Sequence, residues 1–242
     1  MVSHQIKKVF VIGAGGNGSH LLRVLAQFMA HDEYLKNTQL FIVDGDSYEP
    51  RNRKRQLFEH FGNKAQVQAE MLKMYNPQLQ VYPIPRFLKK EVADSTIGPE
   101  IIGENSLVFV CVDNHQARYL VSLHAQTLQH IAVIFGGNEL VSGEAILFRR
   151  ENGINLDPPI EKFHPDVAMN DEVDQPNCQQ ALERGETQII FTNFAVANIM
   201  LQLMFAYWTE PNGMLINEVL LSNSHTEDRT TGPKQVSKRR EP

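Results

Sequence analysis

The sequence predicts an α/β protein with a Rossmann-like, doubly wound and mostly parallel sheet that carries helices on both faces. Short apolar runs alternate with helical patterns from residue 7 to residue 149. The first run leads directly into a glycine-rich turn, and acidic residues follow two of the later runs. This alternation is typical of βαβ units, whose parallel strands are buried on both faces and are therefore apolar throughout.

Six apolar runs predict the strands, and three helical patterns lie between them. The strands are expected at residues 7–13, 39–43, 79–84, 106–112, 131–135 and 144–149. The helices are expected at residues 19–30, 64–75 and 114–130. Asn76 and Pro77 end the second helix. Pro83 and Pro85 place the third strand near a sheet edge, because proline cannot donate to a strand ladder.

The C-terminal part predicts a long loop, one helix and one strand. Residues 151–186 lack hydrophobic periodicity and are rich in Asp, Asn, Pro and Gln. A loop of this length in a compact domain is usually functional or disordered. A helix at 189–208 and a strand at 214–221 follow. We therefore expect one domain over residues 1–221 and a disordered tail at 222–242, which is polar and basic at its end.

The bulk composition narrows the class of protein. The net charge of −5 disfavours a general nucleic-acid binder, because such proteins are expected to be basic. The only cysteines are Cys111 and Cys178, and without a CxxC pair they predict neither a disulfide framework nor a structural zinc site. The N-terminal residues lead into the first strand without a signal peptide, so we expect a cytoplasmic protein.

The most apolar stretch, residues 189–208, is long enough to raise the question of a membrane span. Asn193, Asn198 and Gln202 interrupt it, and Glu186 lies just before it. Because polar groups are costly inside a bilayer, we interpret it as a buried or interface helix and expect no membrane association.

The glycine-rich turn is the first feature that predicts a ligand. Residues 13–18 read Gly-Ala-Gly-Gly-Asn-Gly, a GxGxxG pattern between a strand and a helix. Gly13, Gly15, Gly16 and Gly18 let the chain turn tightly and bring backbone N–H groups close to a phosphate. The context favours a nucleotide-binding loop. A glycine-rich turn without a ligand is the alternative.

Asp44 follows the second predicted strand. An acid at this place, about 20 residues beyond the glycines, binds ribose hydroxyls in dinucleotide enzymes. It suits NAD, FAD or ATP equally. An Asp after a strand also caps helices, which is the alternative for Asp44. For Asp46, a helix cap and a role in nucleotide binding are equally compatible with the sequence.

A dense group of cations distinguishes between these nucleotides. Residues 51–56 read Arg-Asn-Arg-Lys-Arg-Gln, and Lys64 begins the next helix. A triphosphate requires such a density of charge beside the ribose site, whereas a nicotinamide cofactor does not. Arginine gives bidentate contacts and lysine a mobile point charge. Arg55 and Lys64 are the strongest candidates, because the other cations of the run also fit a solvated surface.

Asp113 follows the fourth predicted strand, and Asn114 comes directly after it. Ligands of open α/β sheets bind at the carboxyl ends of the strands. A carboxylate there, opposite phosphates held by the glycine-rich loop, is a suitable Mg²⁺ ligand. Asp113 also fits the N-cap of the helix that follows, and both roles are compatible.

Four motifs together resemble the ThiF/MoeB/ubiquitin-activating-enzyme (HesA/MoeB/ThiF) superfamily. They are VIGAGGNGSH, VDGDSYEPRNRKRQLF, FGNKAQVQAEML and VFVCVDNHQAR, in that order. The resemblance covers about residues 6–149 well and extends more loosely through GGNELVSGEAILF and the helix at 189–208. The segment NCQQALERGETQIIFTN is most similar to ThiF-family proteins of bacterial PRTRC systems.

The resemblance implies a role for each matched residue. Gly13, Gly15 and Gly18 form the phosphate loop, and Asp44 binds the ATP ribose. The Asn-x-x-Arg-Gln element of the family is matched by Asn52, Arg55 and Gln56. Arg55 and Lys64 contact the phosphates, and Asp113 holds Mg²⁺. Asn114 and Arg118 match the family pattern but favour a structural role.

The activity that the resemblance implies is adenylation of a carboxylate with release of pyrophosphate. The carboxylate belongs to the C-terminal glycine of a ubiquitin-like, β-grasp protein, whose tail passes along the loop at 151–186. ATP and Mg²⁺ are the implied cofactors, and a homodimer through the helix at 189–208 is the implied assembly. Such a reaction needs in-line positioning and cations more than covalent help.

Two departures from the family leave the later steps open. The chain lacks the paired CxxC motifs of zinc-bearing members, so no zinc is expected, and it lacks a second catalytic-cysteine domain. Cys178 is either a nucleophile that takes the activated carboxylate or an ordinary residue, because its neighbours do not force its activation. Two other functions remain: an ATP-binding scaffold or sensor without turnover, and a nicotinamide oxidoreductase, which the cations disfavour.

Overall fold

The computed structural model of the chain describes residues 6–139, 142–168, 189–209, 218–221 and 226–229. Eight strands follow one another across the main sheet. They are β1 (Lys8–Ile12), β2 (Gln39–Val43), β3 (Val81–Ile84), β4 (Ser106–Val110), β5 (Ile131–Asn138), β6 (Gly143–Glu151), β7 (Glu218–Leu221) and β8 (Thr226–Arg229). Their order is β8-β7-β6-β5-β4-β1-β2-β3, and a two-residue strand pairs with β6 off this path.

The order in which the chain adds strands to the sheet reverses at β1. Strands β5, β4, β1, β2 and β3 are parallel, and β6, β7 and β8 continue the sheet antiparallel. After β1 the chain adds β2 and β3 on one side and then crosses to β4 on the other. Open α/β sheets bind ligands at the carboxyl end of such a switch point.

Helices cover both faces of the sheet, which confirms the predicted fold class. They are α1 (Gly16–His31), α2 (Lys64–Tyr75), α3 (His115–Ala125) and α4 (Ile190–Thr209). Val9 and Val11 of β1 pack in one core cluster with side chains of α1, α2 and α4. Phe10 and Ile12 pack in the other, with α3. Because the strand is buried on both faces, its sequence is apolar at every position rather than alternating.

Helix α4 combines a buried face with an exposed aromatic one. Among the described residues it is the one helix long and apolar enough to cross a membrane, with a mean hydropathy of 1.4, and 50% of that window is buried. It packs against α1, β5 and β6. Its outward face carries Phe191, Phe194 and Phe205. A core helix of this composition passes the same length test as a membrane span.

The contact between α4 and the sheet is close enough to require glycine. A Cβ atom on Gly136 of β5 would collide with the Sδ atom of Met200, which is fully buried. A Cβ atom on Gly143 of β6 would likewise collide with Val196. The helix therefore lies directly on the backbone of the β5–β6 hairpin.

Two helix boundaries differ from the sequence predictions. α1 begins at Gly16 rather than at residue 19, because Gly16 and Gly18 of the glycine-rich loop already form its first turn. α3 ends at Ala125 rather than at residue 130. Beyond it, Thr127 and Leu128 donate to carbonyls three residues back, as in a tightened last turn.

The tail also differs from the prediction in one segment. Residues 226–229 lie within the region for which the sequence predicts disorder, yet they form β8 and pair antiparallel with β7. Their sequence, Thr-Glu-Asp-Arg, has no apolar alternation, so a strand held by backbone hydrogen bonds to β7 leaves no sequence signal. The other residues of the predicted tail lie outside the described residues.

Residues 157–168, the post-β6 segment, are anchored on the sheet and on α3. Arg149 of β6 and Asp157 form a buried bidentate ion pair, with Nε–Oδ2 and Nη2–Oδ1 distances of 2.7 and 2.8 Å. Glu161 accepts hydrogen bonds from Ser122 of α3 and from Gln126, which caps the C-terminus of that helix. The first part of the predicted loop therefore has a fixed course along the sheet.

We expect Asp157→Ala to destabilise the fold by about 3 to 5 kcal/mol, because it removes the carboxylate from a buried, bidentate ion pair. The ion pair between Arg23 and Glu59 is partly exposed, with side chains 36% and 47% accessible. Glu59→Ala therefore serves as the control, with an expected change within about 1 kcal/mol. Urea unfolding followed by circular dichroism measures both. A loss of less than about 1 kcal/mol for Asp157→Ala would contradict the prediction.

Candidate functional site

A cleft of about 890 Å³ opens at the carboxyl ends of β1, β2 and β4. The glycine-rich loop, the segment after β2, the residue after β4 and the β5–β6 hairpin form its walls. The cleft lies at the switch point of the sheet and is within the size range of small-molecule and cofactor sites. It is lined by these predicted residues: Gly13, Gly15, Gly16, Asp44, Asp46, Asn52, Arg55, Gln56, Lys64 and Asp113.

The glycine-rich loop is held between the ends of β2 and β4. Gly13 has a φ angle of +93°, and a Cβ atom on it would lie 2.9 Å from the backbone of Cys111. Its N–H donates to the carbonyl of Val43 at 2.9 Å. Gly18 lies behind the cleft in the first turn of α1, where a Cβ atom would collide with the carbonyl oxygen of Gly13. Glycine is therefore required at both ends of the loop.

Asp44 ties the loop to the end of β2. Its Oδ2 accepts from the N–H of Ala14 at 2.7 Å, and its Oδ1 accepts from the N–H of Asp46 at 2.9 Å. Burial raises the pKa of the Asp44 carboxyl above its ordinary value. The carboxylate caps no helix: the next helical turn, Pro50–Lys54, has Glu49 at its N-cap. Asp44 thus braces the loop while lining the cleft.

Asp46 and Lys64 form an ion pair at the edge of the cleft, with an Nζ–Oδ2 distance of 2.5 Å. The Lys64 residue is only 7% exposed. Partial burial raises the pKa of Asp46, but the hydrogen bond and charge of Lys64 outweigh it, so that pKa lies below its ordinary value. Asn63 caps α2 and donates to the carbonyls of Asp44 and Asp46 at 2.9 and 3.0 Å.

The cationic run separates into exposed and buried residues, as the sequence predicts. Arg51, Arg53 and Lys54 are exposed, and the guanidinium of Arg53 lies over the Phe58 ring. Arg55 is buried and lines the cleft. The turn that presents it is closed by a buried Asn52, whose Oδ1 accepts from the N–H of Glu49 at 2.8 Å, so Asn52 shapes the turn.

Three buried polar atoms around the loop have no hydrogen-bond partner among the described residues: Asn17 Oδ1, Arg55 Nε and Gln56 Oε1. Each of these residues is at most 8% exposed and lines the cleft. Buried polar groups in native proteins are almost always hydrogen-bonded, so such a cluster indicates a ligand. A buried guanidinium donor beside a glycine-rich loop fits a phosphate, and the residues present therefore fit ATP.

Asp113 lies after β4 and faces the same cleft. The N-cap of α3 falls on Asn114, whose Oδ1 accepts from the N–H of Ala117 at 3.0 Å, so the cap alternative for Asp113 is wrong. Arg118 donates to the carbonyls of Val112 and Gly136, which makes it the structural residue that the sequence predicts.

The fit of a metal ion to this site is limited. Within the part of the chain that the structure describes, no group of three or more His, Cys, Asp or Glu side chains could hold a metal ion. Mg²⁺ commonly takes one or two carboxylates together with substrate phosphates and water. The Asp113 carboxylate therefore fits a Mg²⁺ ion carried in with a nucleotide and does not form a complete protein site.

Sequence reasoning missed the outer walls of the cleft. Phe87, in the loop after β3, lies over Gly45, where a Cβ atom would come within 2.5 Å of its ring. Arg86 and Lys89 flank it. From the post-β6 segment, His164 reaches the cleft and pairs with Glu144 at 2.8 Å. The one local sequence signal for this outer wall was Gly45, within the Asp-Gly-Asp turn.

Of the two cysteines, the structure describes only Cys111. Cys111 is buried at the end of β4, and burial raises the pKa of its thiol to about 12, so it is a core residue. Cys178 lies outside the described residues, and its role as a nucleophile stays a prediction.

The family model described as "ThiF family" matches residues 4–238. The adenylyltransferase and sulfurtransferase uba4 of Aspergillus niger is 31% identical over 156 residues, which are 63% of this chain and 28% of that protein. The protein of the same description from Aspergillus clavatus is 30% identical over the same shares. The chain thus spans about a quarter of the length of these curated relatives.

Solved structures of similar fold extend over nearly the whole chain. PaaA aligns with a TM-score of 0.65 and 16% identity, over 94% of this chain and 64% of that one. E. coli MccB with ATP aligns with a TM-score of 0.64 and 16% identity, over 96% of this chain and 66% of that one. At these identities the likeness shows the fold.

The pair between His164 and Glu144 yields a titration prediction. The hydrogen bond that the His164 ring donates to the Glu144 carboxylate raises the pKa of His164 above its ordinary value of 6.5. The pair therefore stabilises the post-β6 segment fully below that ordinary value and loses its effect as the pH rises through the raised pKa. We expect Glu144→Gln to return the ring titration, followed by NMR, toward 6.5. Glu139→Gln is the control and should leave it unchanged. An unchanged His164 titration in Glu144→Gln would contradict the assignment.

Proposed function

The chain belongs to the ThiF family, and we propose that it is an ATP-dependent adenylyltransferase that activates the C-terminal carboxylate of a ubiquitin-like protein. One observation carries the proposal. The buried Arg55 Nε atom has no hydrogen-bond partner among the described residues and lines the same cleft as the glycine-rich loop and Asp113. A cation, loop amides and a carboxylate around one cleft are what a nucleoside triphosphate with its metal ion requires.

The reaction is attack of a carboxylate oxygen on the α-phosphorus of ATP. A carboxylate O–P bond forms, the P–O bond to the bridging oxygen breaks, and pyrophosphate leaves with the bonding electrons. The product is an acyl-adenylate. Arg55 binds the phosphate oxygens, the loop between Gly13 and Gly16 donates its N–H groups to them, and Asp44 fixes that loop and accepts from the ribose.

Lys64 adds a second cation that is already oriented by Asp46. A lysine ammonium has three N–H donors, so Lys64 retains donors for a phosphate while it is paired with Asp46. Asp113 would hold Mg²⁺, which supplies charge neutralisation on the phosphates when it is bound. Positioning and electrostatics of this kind are the main contributions that phosphoryl chemistry requires of a protein.

The relatives support the nucleotide part and a protein partner. The curated relatives are described as adenylyltransferases and sulfurtransferases. We propose the adenylyltransferase activity and not the sulfurtransferase activity; Cys111, the sole thiol among the described residues, has a pKa of about 12 and stays protonated. The solved structures include MccB with MccA and with AMPCPP, which supports a peptide or protein as the carboxylate donor. Transfer to Cys178 remains part of the proposal.

We also propose that the chain acts as a homodimer through the outward face of α4. Phe191, Phe194 and Phe205 are 76%, 55% and 52% exposed, and Val24 of α1 beside them is 49% exposed. Exposed aromatic side chains concentrated on one helix mark an interaction surface. A symmetric dimer buries such a face against its own copy.

We expect wild-type protein to catalyse ATP–pyrophosphate exchange with its ubiquitin-like partner, and Asp113→Ala to reduce that exchange at least about 100-fold, as loss of one transition-state contact commonly does. The melting temperature of the variant should stay unchanged, because Asp113 caps no helix. Glu33→Ala removes an exposed carboxylate outside the cleft and serves as the control. ATP binding by wild type without exchange would overturn the proposal and favour a scaffold that binds ATP without turnover.

Light scattering should give a dimer mass for the wild type, and Phe191→Asp should shift it toward the monomer. A charge at the most exposed of the three phenylalanines weakens a dimer by about 30-fold or more if it removes a hot-spot contact. Phe61→Asp alters another exposed ring, which lies away from α4 and is 51% exposed, and should leave the dimer intact. A monodisperse wild-type monomer would refute the proposed interface.

A further inference from the structure

Helix α4 carries one fully buried amide in an otherwise apolar face. Asn193 is 0% exposed. Its Nδ2 donates to the backbone carbonyl of Arg55 at 2.8 Å. Its Oδ1 accepts from Nδ2 of Asn138, at the end of β5, at 2.6 Å. A polar side chain in such a place requires these partners, since burying an unpaired amide is costly.

The same amide packs against the phosphate loop. A Cβ atom on Gly16 would lie 2.8 Å from Nδ2 of Asn193 and 3.0 Å from its Oδ1. Gly16, Arg55 and Asn138 come from three separate segments, and all of them line the cleft. Asn193 is thus the point at which the glycine-rich loop, the cationic turn and the β5–β6 hairpin meet.

The chemistry of the contact specifies an amide. The carbonyl of Arg55 can only accept, so it fixes the nitrogen side of Asn193 toward the cationic turn. The oxygen side must then accept from Asn138. A side chain with a donor alone or an acceptor alone satisfies one partner, and an apolar side chain satisfies neither.

We propose that Asn193 is a positioning residue for nucleotide phosphates. By holding the Arg55 backbone beside Gly16, it aims the unpartnered Nε of Arg55 and the loop N–H groups at one phosphate chain. It touches no part of the nucleotide itself. The inference rests on the nucleotide-binding part of the proposed function and is independent of the partner and of the transfer step.

Calorimetry with ATP and with adenosine separates positioning from a merely structural role. We expect Asn193→Ala to weaken ATP binding at least tenfold and to change adenosine binding less than twofold, because only the phosphate contacts depend on Asn193. Asn193→Leu keeps the branching and the number of side-chain heavy atoms and suits the apolar helix. It should behave in the same way and serves as the measured variant where Asn193→Ala does not fold.

Leu203→Ala is the matched control, because Leu203 is a buried residue of the same helix that lies outside the cleft. It should lower the melting temperature and leave the ratio of ATP to adenosine affinity unchanged. Equal losses for ATP and adenosine in the Asn193 variants, or wild-type affinity for both, would overturn the inference while the proposed function stands. Wild-type protein that binds no ATP would overturn the proposed function itself.

Discussion

The hydrogen bond from the N–H of Ala14 to the Asp44 carboxylate joins the carboxyl ends of the neighbouring strands β1 and β2, beside the switch point of the sheet. It connects the loop after β1 to the end of β2, and the same carboxylate accepts from the N–H of Asp46. Since Gly13 turns with a positive φ against the backbone of Cys111, the loop has only one course open to it. The first turn of α1 begins within this loop, and both the loop and Asp44 line the cleft.

Amide side chains fix the backbone around the cleft at four places. Asn63 holds the carbonyls after β2, Asn52 closes the cationic turn, Asn114 caps α3, and Asn193 holds the carbonyl of Arg55. Each of these amides satisfies backbone groups that would otherwise be unpaired in a loop or at a helix end. Among the charged residues of the site, Arg55 differs from Asp44, Asp46 and Lys64 in that its buried Nε atom has no hydrogen-bond partner among the described residues.

Local sequence patterns predicted the fold and the inner cleft because the signals there are short-range. Apolar runs identify the parallel strands, and the glycine pattern, Asp44 and Asp113 each follow directly from the end of a strand. The distinction between Arg55 and its exposed neighbours was also predictable from the motif.

Contacts between distant segments carry no such pattern. Phe87 reaches the cleft from the loop after β3, and His164 from the post-β6 segment. Asn193 was noticed only as an interruption of an apolar helix, because its partners Arg55 and Asn138 lie 138 and 55 residues away along the chain. A strand such as β8, with a polar sequence paired through its backbone, likewise has no local signature.

The contact between Gly136 and Met200 has a consequence for how the sequence can diverge. There is no room for a Cβ atom between the hairpin backbone and the Met200 sulfur. A descendant that places alanine at residue 136 therefore needs a shift of the Met200 side chain, a smaller side chain at residue 200, or a movement of α4 away from the sheet. Because α4 also carries Asn193, such a movement would alter the phosphate cradle. We therefore expect residues 136 and 200 to covary during evolution, because the position of α4 on the sheet constrains both.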